Sequence, residues 1–203
     1  MYINRNENKE KLESLPYFNL MAVRQLYDYS EATARQTLAR WSKSGRIIRL
    51  KKDLYITRDF CLAHQADPDF AGFLSSVIQP FSYLSSVYVL QLGGILTETT
   101  YPVTGVTTKN TQSVTNRFGN FSYSHIKPEL FGGYEEKNVW GVGMKKAGLG
   151  KALFDYFYFR HGPNWDLRFN WEEFSASDIK DYNYWVLASR SKKIPLWKRL
   201  LKD

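Results

Sequence analysis

Sulfur ligands are nearly missing from this chain. A single cysteine, Cys61, among 203 residues excludes an internal disulfide and falls far short of a zinc ligand set. Histidine is as scarce: His64, His125 and His161 are scattered, and no two are spaced as a ligand pair. No apolar run approaches the roughly 20 residues that span a bilayer, and Met1-Tyr2-Ile3-Asn4-Arg5 has no apolar stretch behind it. A soluble protein of the cytoplasm, without membrane contact, is the expectation. Signatures of catalysis are missing too. Gly148-Leu149-Gly150-Lys151-Ala152 imitates a phosphate loop, but Lys145 and Ala152 stand where that loop needs Gly and Ser or Thr. There is no Gly-x-Ser-x-Gly, and nothing local marks Cys61 as a nucleophile. Glu135-Glu136 and Glu172-Glu173 are adjacent acids of the kind usual on solvated surfaces. No enzyme, no cofactor and no metal site is therefore expected.

What is plentiful is aromatic mass and positive charge. Six Trp, fourteen Tyr and thirteen Phe within 43% apolar composition are ample for packed cores. The formal net charge is +8, which makes a polyanion the first partner to consider. The charge is not evenly spread. Residues 1–58 carry 12 basic and 6 acidic side chains, residues 59–188 carry 10 and 13, and residues 189–203 carry 6 and 1. Within the first block, Arg35 to Arg58 holds eight basic residues against Asp53 alone, which is where nucleic acid would bind.

That first block has a readable order. Asn6 to Leu15 is a helix with Leu12 and Leu15 inward, closed by Pro16. Leu20, Val23 and Leu26 put one apolar stripe on a second helix over Asn19 to Tyr29. Ser30 is an N-cap for a third helix from Glu31 to about Ser44, stopped by Gly45. Ala34, Leu38 and Trp41 form its buried face, leaving Ala32, Gln36, Arg40 and Lys43 outward with Thr33 and Arg35 on the flanks. The period then changes to two: Arg46-Ile47-Ile48-Arg49-Leu50, a basic Lys51-Lys52-Asp53, then Leu54-Tyr55-Ile56-Thr57, a hairpin. Helix, turn, helix, strand, basic turn, strand is the order of a winged helix-turn-helix, whose second motif helix enters the major groove. The DNA-binding set expected is Ser30, Thr33, Arg35, Gln36, Arg40, Lys43, Arg46, Arg49, Lys51 and Lys52. Arg35, Gln36 and Arg40 would read bases, while Arg46, Arg49, Lys51 and Lys52 would hold phosphates.

The rest of the chain, residues 59–203, reads as a second domain of mixed character, giving an α+β fold overall. Asp59 to Gln79 is a connector and then a helix with Phe70, Phe73, Leu74 and Val77 on one face. Ser82 to Leu92 reads as a helix ending at Gly93-Gly94. Tyr101 to Thr108 alternates as a strand, Val114 to Phe118 and Phe121 to His125 pair about a Gly119-Asn120 turn, and Asn138 to Met144 is a further strand. Leu149 to Arg160 is a strongly apolar helix ending at His161-Gly162-Pro163. Ser175 and Asp178 start a helix to about Arg190 in capping-box style, and Pro195 to Lys202 is a short basic helix. Its Trp197 and Leu200 suit packing onto the body, although the segment's amphipathic look would also fit a membrane surface or a longer nucleic-acid footprint.

Taken in order, several segments resemble the AbiEi-type antitoxins of bacterial abortive-infection systems. They are the basic hairpin Leu50-Lys51-Lys52-Asp53-Leu54-Tyr55-Ile56, the Tyr83-Leu84-Ser85-Ser86-Val87 to Leu92-Gly93-Gly94-Ile95 stretch, Pro102 to Thr108, Phe118 to Ile126, and Lys151-Ala152-Leu153-Phe154-Asp155. The last is similar to a family helix motif that usually reads Glu-Lys-Ala-Leu-x-Asp, with Gly150 here in place of the Glu. The resemblance implies a winged-helix transcriptional repressor that binds inverted repeats in its own promoter DNA and counters a cognate nucleotidyltransferase-like toxin, directly or functionally. It also implies DNA contact through Arg35, Arg40, Arg46, Arg49, Lys51 and Lys52. Two alternatives stand beside it: a protein-binding inhibitor of a partner toxin, and a plain winged-helix regulator without one.

Overall fold

The computed structural model describes residues 5–96, 102–160 and 169–200. Within them the chain is mixed α and β, in two connected layers of structure. The N-terminal layer holds α1 (Arg5–Glu13), β1 (Phe18–Asn19), α2 (Leu20–Tyr27), α3 (Glu31–Lys43), β2 (Ile47–Lys51) and β3 (Leu54–Thr57). Its helix ends follow from local chemistry. Asn19 accepts from the Ala22 amide at 2.9 Å to start α2, and Asp28, at φ 51°, ends it. Ser30 accepts from the Thr33 amide at 3.2 Å to start α3, and Gly45, at φ 71°, lets the chain turn away after it. The strands form an antiparallel sheet in the order β1-β3-β2. The two-residue β1, too short to leave a periodic signal, was not foreseen.

The remaining elements are α4 (Arg58–His64), α5 (Phe70–Ile78), β4 (Ser82–Leu84), α6 (Ser86–Leu92), β5 (Val103–Thr107), β6 (Gln112–Asn116), β7 (Gly119–His125), β8 (Tyr134–Val139), β9 (Val142–Ala147), α7 (Leu149–Arg160), α8 (Ala176–Ser189) and α9 (Trp197–Leu200). Six strands make one sheet in the order β6-β7-β5-β4-β9-β8. Within it β5 runs parallel to β7 and β4 parallel to β9, and the other neighbours are antiparallel.

Four expectations are corrected here. Ser82 to Leu84 is strand, not helix: it lies between β5 and β9 with all three side chains buried, and only from Ser86, at φ 56°, does the chain become helical. The β6–β7 turn falls on Arg117-Phe118, because Asn116 pairs with Gly119 and Thr115 with Asn120. Asn138 to Met144 is the turn end of a hairpin, with Trp140-Gly141 at φ 49° and 81°, the paired left-handed values of a tight hairpin turn. The connector after residue 58 is itself helical, α4 being capped by Thr57. The expected strand start at Tyr101, the helix stop at His161-Gly162-Pro163 and the end of the last helix at Leu201-Lys202 lie outside the described residues.

Two cores meet at the β2–β3 hairpin. Ile47 and Tyr55 pack with Leu12, Phe18, Val23, Ala34, Leu38 and Trp41 of the N-terminal layer. Ile48, Leu50, Leu54 and Ile56 pack instead with Cys61, Phe70, Phe73, Tyr83 and the rest of the larger core. Alternation along the strands thus buries both faces of one hairpin. The basic tail packs as an apolar anchor: Ile194, Trp197 and Leu200 are buried, and Trp197 meets Trp171 and Phe174 edge-on at 5.5 and 5.0 Å.

Deep in the larger core, Lys151 and Asp155 are both fully buried and bonded at 2.6 Å. Tyr83 and Ser85 donate to the same carboxylate at 3.0 and 2.7 Å, and the ammonium lies over the rings of Trp185 and Phe154 at 4.5 and 4.7 Å. Burial pushes the Asp155 carboxyl up and the Lys151 ammonium down, and their pairing opposes both shifts. Immediately before Lys151, Gly150 meets α8. A Cβ there would overlap the Asp178 carbonyl oxygen and lie 2.8 Å from the Tyr182 amide nitrogen.

Candidate nucleic-acid interface

On α3 the buried residues are Ala34, Thr37, Leu38 and Trp41. At 100° per residue this aims Ala32, Gln36, Ala39 and Lys43 outward, sets Thr33 and Arg40 on one flank, and sets Arg35 and Ser42 on the flank beside the hairpin. Lys52-Asp53 makes the hairpin tip, with Asp53 at φ 55°, and the ladder is irregular between Arg49 and Lys51. Helix and hairpin enclose a groove of about 340 Å³, lined by Arg35, Ala39, Ser42, Arg49, Lys52 and Asp53 among others.

The ten residues expected to bind DNA divide by what they already hold. Ser30 spends its hydroxyl on the cap and on the Thr33 hydroxyl at 2.8 Å. Arg35 is paired with Glu31 at 2.9 Å and Asp53 at 3.4 Å, tying α3 to the hairpin tip; both pairs are exposed and so weak. Arg46 is turned inward. It bonds Glu13 at 3.3 Å and lies 4.7 Å over the Trp41 ring, joining α1 to α3. Lys51 is also withdrawn: its ammonium donates to the Ile78 carbonyl at 2.5 Å, at the C-terminal end of α5, where a cation meets carbonyls without intrahelical partners. Burial lowers its pKa. Arg46 and Lys51 are each half-buried and fastened to a partner distant in sequence.

Gln36, Arg40, Lys43 and Lys52 are exposed. Among the described residues no carboxylate lies within 4.0 Å of Arg40, Lys43, Arg49 or Lys52. Arg49 donates to the Lys51 carbonyl beside it, at 3.2 Å. Uncompensated cations on one helix and one hairpin, with an amide side chain between them, are groups that can bond phosphate oxygens and base edges.

Sequence reasoning missed a second basic element. The β6–β7 turn brings Arg117 beside β2, where Asn116 Nδ2 donates to the Leu50 carbonyl at 3.1 Å. The contact joins residues 66 apart, so no local pattern announces it.

The groups set aside as non-catalytic are engaged elsewhere. His64 packs between Phe60 and Trp140 at 4.4 and 4.3 Å, and His125 Nδ1 lies 3.0 Å from the Lys109 carbonyl; His161 is outside the described residues. Cys61 is buried, which raises its thiol pKa. Among the described residues no three His, Cys, Asp or Glu side chains are grouped to hold a metal ion, and no helix is long and apolar enough to cross a membrane. No protein-family model and no curated protein matches the chain.

Proposed function

We propose that the chain is a DNA-binding repressor of the AbiEi antitoxin type. In this reading α1 to α3 with the three-stranded sheet act as a winged helix-turn-helix, α3 enters the major groove of promoter DNA, and the β2–β3 hairpin serves as the wing. The observation that carries it is the row of exposed groups, Gln36, Arg40 and Lys43 on α3 with Arg49 and Lys52 on the hairpin, whose cations have no carboxylate within 4.0 Å among the described residues, beside a groove between helix and hairpin. Base readout falls to Gln36, Arg40 and Lys43, and Arg35 joins by exchanging its exposed carboxylates for phosphate. The antitoxin half rests on the ordered resemblance of the body, including its Lys151-Ala152-Leu153-Phe154-Asp155 helix, to that family. Its cognate toxin would be nucleotidyltransferase-like, and the cytoplasm is where both would act.

Fluorescence anisotropy with duplexes from upstream of the gene tests the repressor half. Specific binding with Kd of about 10⁻⁸ M or tighter at physiological salt, lost in a Gln36→Ala, Arg40→Ala, Lys43→Ala triple variant, supports it. Micromolar binding indifferent to scrambling the sequence overturns it. For the antitoxin half, growth arrest by a neighbouring nucleotidyltransferase gene should be relieved by co-expression of this chain. One observation favours direct capture of a protein partner by the body: Tyr184 and Leu187, one turn apart on α8, are 62% and 67% exposed. A stoichiometric complex that survives purification, and is lost with Tyr184→Ser and Leu187→Ser, would establish that route.

A further inference from the structure

The edges of the two sheets lie side by side. β2 is the outer strand of the small sheet and β6 the outer strand of the large one, and the Asn116 to Leu50 hydrogen bond pins them together at one point. Beyond that point they part around a cleft of about 490 Å³, lined by Ser42, Arg49, Lys52, Thr115, Asn116 and Arg117 among others. Its lining includes no carboxylate, although residues 59–188, from which Val114 to Arg117 come, carry more acidic than basic side chains. Arg117 is exposed, stacks its guanidinium 5.7 Å over the neighbouring Phe118 ring, and has no carboxylate within 4.0 Å among the described residues. Ser42, Arg49 and Lys52 line both this cleft and the groove between α3 and the hairpin. The two depressions thus adjoin, with Arg49 and Lys52 facing both.

We infer that the β6–β7 turn is a second DNA-binding element, in which Arg117 holds a phosphate of the strand that leaves the α3 groove across the hairpin. The inference rests on the DNA-binding reading above and extends it to the body of the protein. A flexible wing would ordinarily reach flanking phosphates by itself. Here Lys51 is fastened to Ile78 and the Leu50 carbonyl to Asn116, so the hairpin is held down and its neighbour supplies the outer cation. Thr115 and Asn116 add hydroxyl and amide groups of the sort that bond sugar-phosphate oxygens.

The test uses the full chain, short duplexes tiling the DNA upstream of its gene, and a salt series from about 50 to 200 mM. Arg117→Ala should weaken binding to every duplex alike and lower the slope of log K against log salt by about one, the signature of one lost phosphate contact. Arg117→Glu should weaken it further. Arg40→Ala, assayed in parallel, reports on the parent reading. If Arg40→Ala weakens binding and neither Arg117 variant changes affinity or slope, the second element is refuted and the DNA-binding reading stands. If the unchanged protein binds no duplex, both fall. Tighter, Arg117-dependent binding of single-stranded RNA would overturn the assignment to duplex DNA. Unchanged thermal melting of the Arg117 variants, expected of an exposed turn residue, shows that the loss is one of contact and not of fold.

Discussion

Gly150 shows how one missing methyl group sets the distance between two helices. α7 and α8 approach so closely at this residue that the backbone of α8, at Asp178 and Tyr182, occupies the space of a side chain. Backbone cannot swing aside as a flexible side chain can, so Gly150→Ala should destabilise by about 3 kcal/mol, a fall in Tm of about 6–12 °C for a chain of this size. Circular-dichroism melting decides it, and a variant melting with the unchanged protein would refute the close approach. By the same geometry a longer side chain such as Glu at this place has no room. Three phenols make a second residue-scale case. Tyr83, Tyr123 and Tyr182 are buried, and burial raises each pKa above the ordinary 10.0. The unfolded chain then releases protons near pH 10 that the folded chain keeps. Their contribution is complete below that pH and is lost as pH climbs through the raised values, at about 1.4 kcal/mol per pH unit for each phenol. Urea midpoints measured from pH 8 to 11 should fall steeply above about 10, with part of the tyrosinate absorbance appearing only on unfolding. Tyrosinate absorbance that reaches its full value while the chain is still folded would contradict the burial.

At the scale of elements, the hairpin's lysines differ in what they hold: Lys51 is bonded to the Ile78 carbonyl and Lys52 is exposed. Lys51→Ala should cost about 1–2 kcal/mol by leaving the Ile78 carbonyl without its donor, yet leave the salt dependence of DNA binding unchanged. Lys52→Ala should do the reverse, flattening that dependence without moving the melting temperature. An identical effect of the two on DNA would remove the distinction. This division was not readable from the hairpin itself, because the partner of Lys51 lies 27 residues away and that of Arg46 33 residues away. Local determinants were readable. Ser30 and Gly45 bound α3, the alternation after Arg46 predicts the two strands, and Ser175 with Asp178 starts α8. Misreadings occurred where pairing overrules local preference. Ser82-Tyr83-Leu84 has a helix-like apolar spacing but is claimed by strands on both sides. Gly119-Asn120 looks like a turn, yet both residues pair with β6 and Gly119, at φ 121°, begins β7. Of the candidate interface, the outward face of α3 was legible from its period, whereas the proposed part of Arg117 was not, since only the folded chain brings β6 to β2.

For the whole molecule, the charge map and the packing place the boundary differently. Net charge changes sign after residue 58, but Ile48, Leu50, Leu54 and Ile56 belong to the core of the larger body. A fragment ending at residue 58 would expose four aliphatic side chains on the face of its own sheet, at a transfer cost of about 1.5–3 kcal/mol each. Such a fragment should therefore be poorly folded and fail to bind DNA, and the full chain should melt in a single transition. Amide exchange and anisotropy on residues 1–58 check this directly: a protected, DNA-binding fragment would show that the two cores are independent.

A hairpin that sends apolar side chains into a core on each of its faces also has no seam. A binding head joined to its body through a linker can be exchanged for another by recombination at that linker. Here any exchange must carry along the partners of Ile48, Leu50, Leu54 and Ile56, or replace them with side chains of matching shape. Chimaeras joined within the hairpin, or just after it, should fail unless the body residues beneath it travel too. The α3 and hairpin surface proposed to read DNA and the body behind it are thereby constrained to change together.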